Sequence, residues 1–173
     1  IIIFLLGGLF LGWSLGANDA ANVFGTAVGT RMVRFKTAAI VCSIFVILGA
    51  IISGAGTTET LGKLGAINAL PGAFAACVAA GISVYLMTKV GLPVSTTQAI
   101  VGAIVGWNLY TGSATNIKVL ITILGTWVLC PVIAGLIAMG FFTLTKNFLL
   151  KRKLHILRLD AYTRTALLLA GAF

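Results

Sequence analysis

Charged residues are scarce in this chain. They make up 9% of its 173 residues, and only three of them are acidic, whereas about a quarter of an average soluble domain is charged. Hydrophobic residues account for 60%, and the mean hydropathy is +1.13. A soluble fold of this size could not bury so much apolar surface, so we expect lipid as the solvent. The net charge of +9 does not predict a nucleic-acid partner, because such a partner requires a solvated basic face.

Cysteine and histidine are also rare. Cys42, Cys77 and Cys130 lie far apart, each within an apolar run. No pair has the spacing of metal ligands and nothing indicates a disulfide framework, so we expect the three to be packing or lipid-facing residues. The single histidine, His155, is expected to be solvated.

Long apolar runs dominate the chain. Five such segments cover residues 1–30, 37–56, 71–89, 93–110 and 118–145. They predict an all-α membrane protein, a polytopic helical bundle. The polar connection at 57–70 is expected to be a solvated loop, with a short helix carrying a Glu59–Lys63 pair as the alternative. Pro131 is expected to kink the last segment.

Basic residues are distributed unevenly between the two sides of the membrane that this pattern defines. If each segment crosses once, ten of the twelve basic residues lie on one side and two, Lys63 and Lys118, on the other. The ten are Arg31, Arg34, Lys36, Lys89, Lys146, Lys151, Arg152, Lys153, Arg158 and Arg164. The bias places that side, with a basic loop at 146–158, in the cytoplasm and the N-terminal end outside. Two re-entrant segments in place of two crossings would leave the two ends of the chain on the same sides of the membrane. Continuous spans and hairpins therefore both remain open.

The number of crossings also suggests a larger architecture. After five crossings a second copy of the pattern would run inverted, as in inverted-repeat transporters.

The first polar motif lies inside an apolar segment. Residues 16–22 read Gly-Ala-Asn-Asp-Ala-Ala-Asn, and Asp19 is the only acid within any of the long apolar runs. A carboxylate at membrane depth costs a few kcal/mol, so it requires a proton, a cation or a buried donor. The amide oxygens of Asn18 and Asn22 are hard ligands that suit Na⁺ and not a transition metal. A proton-relay acid, an interfacial helix cap and a contact between helices are the alternatives.

The same segment has two further features. It is longer than a bilayer core requires, so we expect the helix to break near this motif. Small residues recur every four positions at Gly8, Gly12, Gly16 and Ala20, which predicts close packing of another helix on that face. Trp13 is expected to pack nearby.

The second polar motif is Pro-Val-Ser-Thr-Thr-Gln at residues 93–98. The proline suits the first turn of a helix. The unpaired N–H groups and hydroxyls of Ser95 to Thr97 would then form an anion site that fits phosphate. An ordinary N-cap by Ser95 is the alternative. Gln98 could donate to a substrate oxygen or pair with a neighbouring helix.

An anion in this setting requires positive charge, and the interiors of the apolar segments contain no lysine or arginine. An unneutralised anion is prohibitively expensive to desolvate. Coupling to Na⁺ or H⁺ is therefore close to a physical requirement.

The two motifs together resemble the signatures of the inorganic phosphate transporter (PiT) family. Residues 16–22 are similar to its Gly-Ala-Asn-Asp-x-Ala-Asn signature, and residues 93–97 followed by Ile-Val-Gly-Ala at 100–103 resemble its second signature, about 75 residues further on. The similarity covers essentially the whole chain. The family commonly has histidine after Ser-Thr-Thr, where this chain has Gln98, and this difference bears on any protonation role at that position.

The resemblance implies a secondary active transporter, and not an enzyme, that imports inorganic phosphate with Na⁺ or H⁺ by alternating access. It further implies two inverted halves, of which this chain resembles the first: residues 1–158 would form a first structural repeat, and residues 159–173 would begin a truncated second one. A homodimer in the plasma (inner) membrane, and no cofactor besides the coupling ion, are also implied. By resemblance, Ser95, Thr96, Thr97 and Asn22 would contact phosphate, Asn18, Asp19 and Asn22 would bind the cation, and Gln98 is a candidate for a further substrate contact.

Three other functions remain as alternatives. The chain could belong to a transporter of another oxyanion, such as sulfate or arsenate. It could be a membrane protein in which the glycines only pack helices. An intramembrane aspartyl hydrolase would require a second embedded acid.

Overall fold

The computed structural model describes residues 2–65, 70–152 and 156–171. Within these ranges the chain forms six helices and no strand, which confirms the all-α prediction. The helices are α1 (Ile2–Gly29), α2 (Phe35–Leu64), α3 (Leu70–Lys89), α4 (Thr96–Thr111), α5 (Ile117–Arg152) and α6 (Ile156–Ala170).

Four segments of these helices are long and apolar enough to cross a membrane, within the part of the chain that the structure describes. They are Ile2–Gly29, Phe35–Gly56, Leu70–Lys89 and Ile117–Asn147. α4, which holds the segment predicted to span from 93 to 110, has 16 residues. At about 1.5 Å per residue it is shorter than the roughly 30 Å bilayer core. The segment predicted to span from 93 to 110 therefore contains a helix that is shorter than a full span.

The first helix does not break at its polar motif, so that prediction is wrong as well. α1 is continuous through residues 16–22. Because an α-helix satisfies its own backbone groups, polar side chains alone do not interrupt it. Tilting accommodates a helix that is longer than the bilayer core.

The second helix extends further than predicted, through a stretch that was expected to be a loop. α2 continues to Leu64, and Thr58 and Thr60 donate hydrogen bonds to the carbonyls one turn earlier. Glu59 and Lys63 form an exposed ion pair across one turn, and the hydrogen bond and charge of Lys63 lower the pKa of Glu59. Residues 66–69 of this connection lie outside the described ranges.

Two compact units make up the chain, Ile1–Ile117 and Lys118–Phe173. The second contains α6 and nearly all of α5, and α5 continues past Pro131 as helix. The loop predicted at 146–158 is therefore helical up to Arg152, whereas residues 153–155, including His155, lie outside the described part. The cysteines at 42, 77 and 130 are free thiols.

In the first unit, α1 and α3 pack closely along a parallel seam. A side chain at Gly7 would place its Cβ 2.8 Å from the ring of Phe74, and one at Gly81 would place its Cβ 2.7 Å from Phe10. Ser14 and Asn18 continue the seam and are almost completely buried. Residues that are early in α1 thus lie beside residues that are early in α3, and the two helices run in the same direction.

The seam uses a different face of α1 from the predicted glycine stripe. A Cβ added at Gly8, Gly12 or Gly16 would meet no atom within 4 Å. A shift of one residue rotates the face of a helix by about 100°, as 3.6 residues per turn require. Periodicity identified a face of small residues, but this chain packs α3 against the neighbouring face.

α4 runs back along α3, so that the two helices form a hairpin. Gly72, near the start of α3, packs against Trp107, near the end of α4. The intervening turn includes Gly91 at φ +79°, a conformation that favours glycine. We call residues 90–95 the hairpin tip. At the opposite end, the N–H of Asn116 donates to the carbonyl of Leu64 at 3.0 Å and thereby joins the base of the hairpin to α2.

We expect Gly7→Leu in the full-length protein to lower its thermal stability in detergent, because the new side chain would overlap Phe74 in the seam. Overpacking of this kind costs about 1–3 kcal/mol. Gly8→Leu is the matched control, since nothing lies within 4 Å of that position. Equal melting temperatures for the two variants would contradict the seam.

Candidate functional site

The N-terminus of α4 is capped by a serine from the second motif. Ser95 Oγ accepts a hydrogen bond from the backbone N–H of Gln98 at 3.3 Å, and the backbone of Ser95 is extended. Because an N-cap residue does not have helical dihedral angles, the helix begins at Thr96. Pro93 therefore precedes the helix, and its predicted place in the first turn is wrong.

The Asn18 side chain joins α1 to the hairpin tip. It is 4% exposed, and its amide nitrogen donates to the carbonyl of Val94 at 2.6 Å and to Asp19 Oδ1 at 2.8 Å. Its amide oxygen accepts longer hydrogen bonds of 3.4 Å from the Thr88 hydroxyl and from the Val94 N–H. One buried amide thus contacts the end of α3 and the tip that follows it.

Asp19 lies beside the start of α4. Its Oδ2 accepts a hydrogen bond from the Thr96 hydroxyl at 3.2 Å, and its Oδ1 accepts the one from Asn18. The two motifs, 77 positions apart at this contact, therefore meet as the sequence predicted. No lysine or arginine of the described ranges forms an ion pair with this carboxylate.

The remaining predicted site residues surround this contact without joining it. Asn22 lies one turn beyond Asn18; its side chain is exposed and makes no hydrogen bond within the described part of the chain. Ser95, Thr97 and Gln98 are exposed at the first turn of α4. The polar cluster is thus closed on the side of α3 and open on the side of Asn22 and Thr97.

Two members of the cluster were not predicted from the sequence. Thr88 contributes a hydroxyl from the last turn of α3, and Val94 contributes its backbone carbonyl and N–H. A polar residue shortly before the second motif was a usable signal for Thr88. Backbone groups have no signal in residue type, so the role of Val94 could not have been found.

Chemically, the cluster combines two kinds of group. The oxygens of Asp19, Asn18 and Thr96 are hard ligands of the type that binds Na⁺ or a proton. The N–H groups in the first turn of α4 lack intrahelical partners, and the N-terminus of a helix favours an anion. The arrangement can therefore hold a cation and an anion next to each other.

Helices of membrane-spanning length define a polytopic membrane protein, and the polar cluster lies where three helices of its first unit meet. A model of the phosphate transporter family matches residues 15–170. This chain belongs to the phosphate transporter family.

Individual relatives agree with this membership. The chain is 34% identical over 164 residues to a Pyrococcus furiosus protein named as a phosphate permease. The alignment covers 88% of this chain and 40% of the relative. It is 33% identical over 156 residues to a sodium-dependent phosphate transporter of Plasmodium falciparum, and this alignment covers 83% of this chain and 23% of the relative.

A solved structure described as the sodium-dependent phosphate transporter matches with a TM-score of 0.74 and 26% identity. The match covers 100% of this chain and 54% of that one. The chain thus spans about half the length of this solved structure and less than half of the curated relatives.

We expect Asn18→Ala to loosen the hairpin tip, because it removes the short bond to Val94 and leaves a partly buried carbonyl without that donor. A lost buried hydrogen bond costs about 1–3 kcal/mol. Hydrogen exchange of the backbone amides of the hairpin tip other than Pro93, which has none, should accelerate when measured on the full-length protein. Asn22→Ala, an exposed amide on the same helix, is the control. Unchanged exchange in Asn18→Ala would show that this amide does not hold the tip.

Proposed function

We propose that this chain forms part of a secondary active transporter that imports inorganic phosphate together with Na⁺ by alternating access. The observation that carries the proposal is the hydrogen bond between Asp19 and Thr96. It brings the one carboxylate of the apolar segments to the N-terminus of a helix whose first residues are hydroxyl-bearing.

The cation is proposed to bind at Asp19, with amide oxygens from Asn18 and Asn22. Asp19 is partly buried and is held only by neutral donors, so its negative charge is not cancelled within the described chain. A partly buried carboxylate with spare oxygen ligands is favourable for a small hard cation. The relatives named as sodium-dependent transporters favour Na⁺ over H⁺.

Phosphate is proposed to bind at the first turn of α4, through Ser95, Thr96 and Thr97, with Asn22 of α1 as another ligand and Gln98 as a further contact. The exposed hydroxyls of Ser95 and Thr97 add donors to the backbone N–H groups of Thr96 and Thr97, which precede the N–H of Gln98 that Ser95 caps. Anion binding at a helix N-terminus follows from those groups and from the helix dipole.

Coupling follows from the short distance between the two proposed sites. An anion beside Asp19 would be repelled by its carboxylate unless a cation were bound there first. Bound Na⁺ therefore raises phosphate affinity, and by linkage phosphate raises Na⁺ affinity to the same extent. Phosphate crosses unchanged in this mechanism, and no covalent step is involved.

The proposal includes an architecture for the whole protein. The hairpin of α3 and α4 enters the membrane beside α1, and a second, inverted half supplies the groups that complete the open side of the cluster. The protein lies in the plasma (inner) membrane with its N-terminal end outside, and pairs as a homodimer.

We predict that Asp19→Asn in the full-length protein reduces Na⁺-driven uptake of labelled phosphate into proteoliposomes to background. The amide keeps the size of the side chain but lacks the charge that binds the cation. Glu59→Gln is the matched control, because Glu59 is an exposed acid paired with Lys63, and it should transport normally.

The same assay separates the alternatives. Uptake driven by a proton gradient without Na⁺ would replace Na⁺ by H⁺ in the proposal. Faster uptake of labelled sulfate than of phosphate would change the substrate. Normal Na⁺-driven phosphate uptake by Asp19→Asn would remove Asp19 from the mechanism.

A further inference from the structure

Only three acidic residues occur in this chain, and each has a partner other than Lys89. Glu59 pairs with Lys63, Asp160 pairs with Arg164, and Asp19 accepts from Asn18 and Thr96. Within the described residues, no acidic side chain forms an ion pair with Lys89. This lysine is exposed, and it is the last residue of α3.

Lys89 is placed at the start of the hairpin tip. The preceding residue, Thr88, donates to Asn18 Oδ1, and the tip that follows Lys89 returns to Asn18 through Val94. Of the basic residues that are described in the first compact unit, Lys89 is the only one adjacent in sequence to a residue of the polar cluster. Arg31, Arg34 and Lys36 instead lie where α1 ends and α2 begins.

An aromatic ring holds the ammonium of Lys89. Its Nζ lies 5.5 Å from the centre of the Tyr85 ring, and that ring packs against Trp13 of α1 with centroids 5.6 Å apart. A cation–π contact attracts an ammonium through the quadrupole of the ring. Unlike a carboxylate, the ring carries no net charge, so it orients the ammonium without cancelling its field.

We infer that Lys89 is an electrostatic positioning residue, whose positive charge draws a tetrahedral oxyanion toward the hairpin tip. The inference rests on the proposed function and deepens it. A fixed charge near a cleft raises the local concentration of oppositely charged substrate and its association rate. The residue acts at a distance and does not contact the bound anion. Its effect therefore falls on the KM for phosphate and not on kcat, and it favours the dianionic form of phosphate.

The test uses the full-length protein in proteoliposomes at fixed Na⁺, with ionic strength adjusted by choline chloride. We expect Lys89→Gln to raise the KM for phosphate about fivefold or more at low ionic strength, with kcat nearly unchanged. The difference should shrink at high ionic strength, because salt screens exposed charges. Lys89→Arg keeps the charge and should keep the KM. Lys63→Gln, which removes a lysine that is paired with Glu59, is the matched control.

Three results would overturn the inference. The first is an equal KM for Lys89→Gln and wild type at every ionic strength. The second is the same loss of kcat and thermal stability in Lys89→Gln and Lys89→Arg, which would indicate a purely structural lysine. The third is a wild-type protein that takes up no phosphate, which would overturn the proposed function as well, whereas the first two leave that function intact.

Discussion

A polar side chain buried in an apolar helix must find hydrogen-bond partners, and the arrangement of this site follows from how Asn18 finds them. Its amide nitrogen donates to Val94 and Asp19 at 2.6 and 2.8 Å. The first bond holds the hairpin tip against α1, and the second orients the carboxylate. Because α4 starts directly after the tip, its N-terminus comes to rest beside Asp19. Leaving such a group unpaired would cost several kcal/mol in an apolar surrounding, so the constraint is strong enough to position both helices of the hairpin.

The sequence was sufficient to predict that the two polar motifs meet, and the reason is the same constraint. Polar groups such as Asp19 and Thr96, placed within apolar runs, have few partners other than each other.

The sequence was not sufficient to predict which face of α1 packs on α3. Gly7 lies in the seam whereas Gly8 faces open space, and the choice depends on the partner helix, Phe74 in particular. The expected break in α1 failed because length alone does not break a helix when tilting is available. The contribution of Val94 could not be foreseen, because any residue type supplies the same carbonyl.

The cluster is satisfied on one side only, and this asymmetry has a physical consequence. Asn18 is buried with its hydrogen bonds made, while Asn22, Thr97 and Gln98 are exposed. A polar network at membrane depth that is half satisfied is less favourable than a complete one or than an apolar surface. The exposed side chains therefore need further hydrogen-bond partners or ligands, which bound ions, substrate or another part of the protein would supply. The solved sodium-dependent phosphate transporter extends well beyond the matched region, with 54% of its chain covered, which is consistent with the proposal that a second half supplies those groups.

Neutral partners hold both of the charges in and beside this cluster, and this choice matters for ion coupling. A carboxylate paired with arginine would already be neutralised and would have little affinity for Na⁺. Asp19 is held instead by an amide and a hydroxyl, which fix its orientation and preserve its charge. Lys89 is held by the ring of Tyr85, which has the same effect on a positive charge. If the two residues paired with each other, neither charge would be available to a ligand. Because the partners of both are neutral groups, the fold leaves a carboxylate and an ammonium without an ion pair near the cluster, and the proposed Na⁺ site and the inferred attraction of phosphate each use one of them.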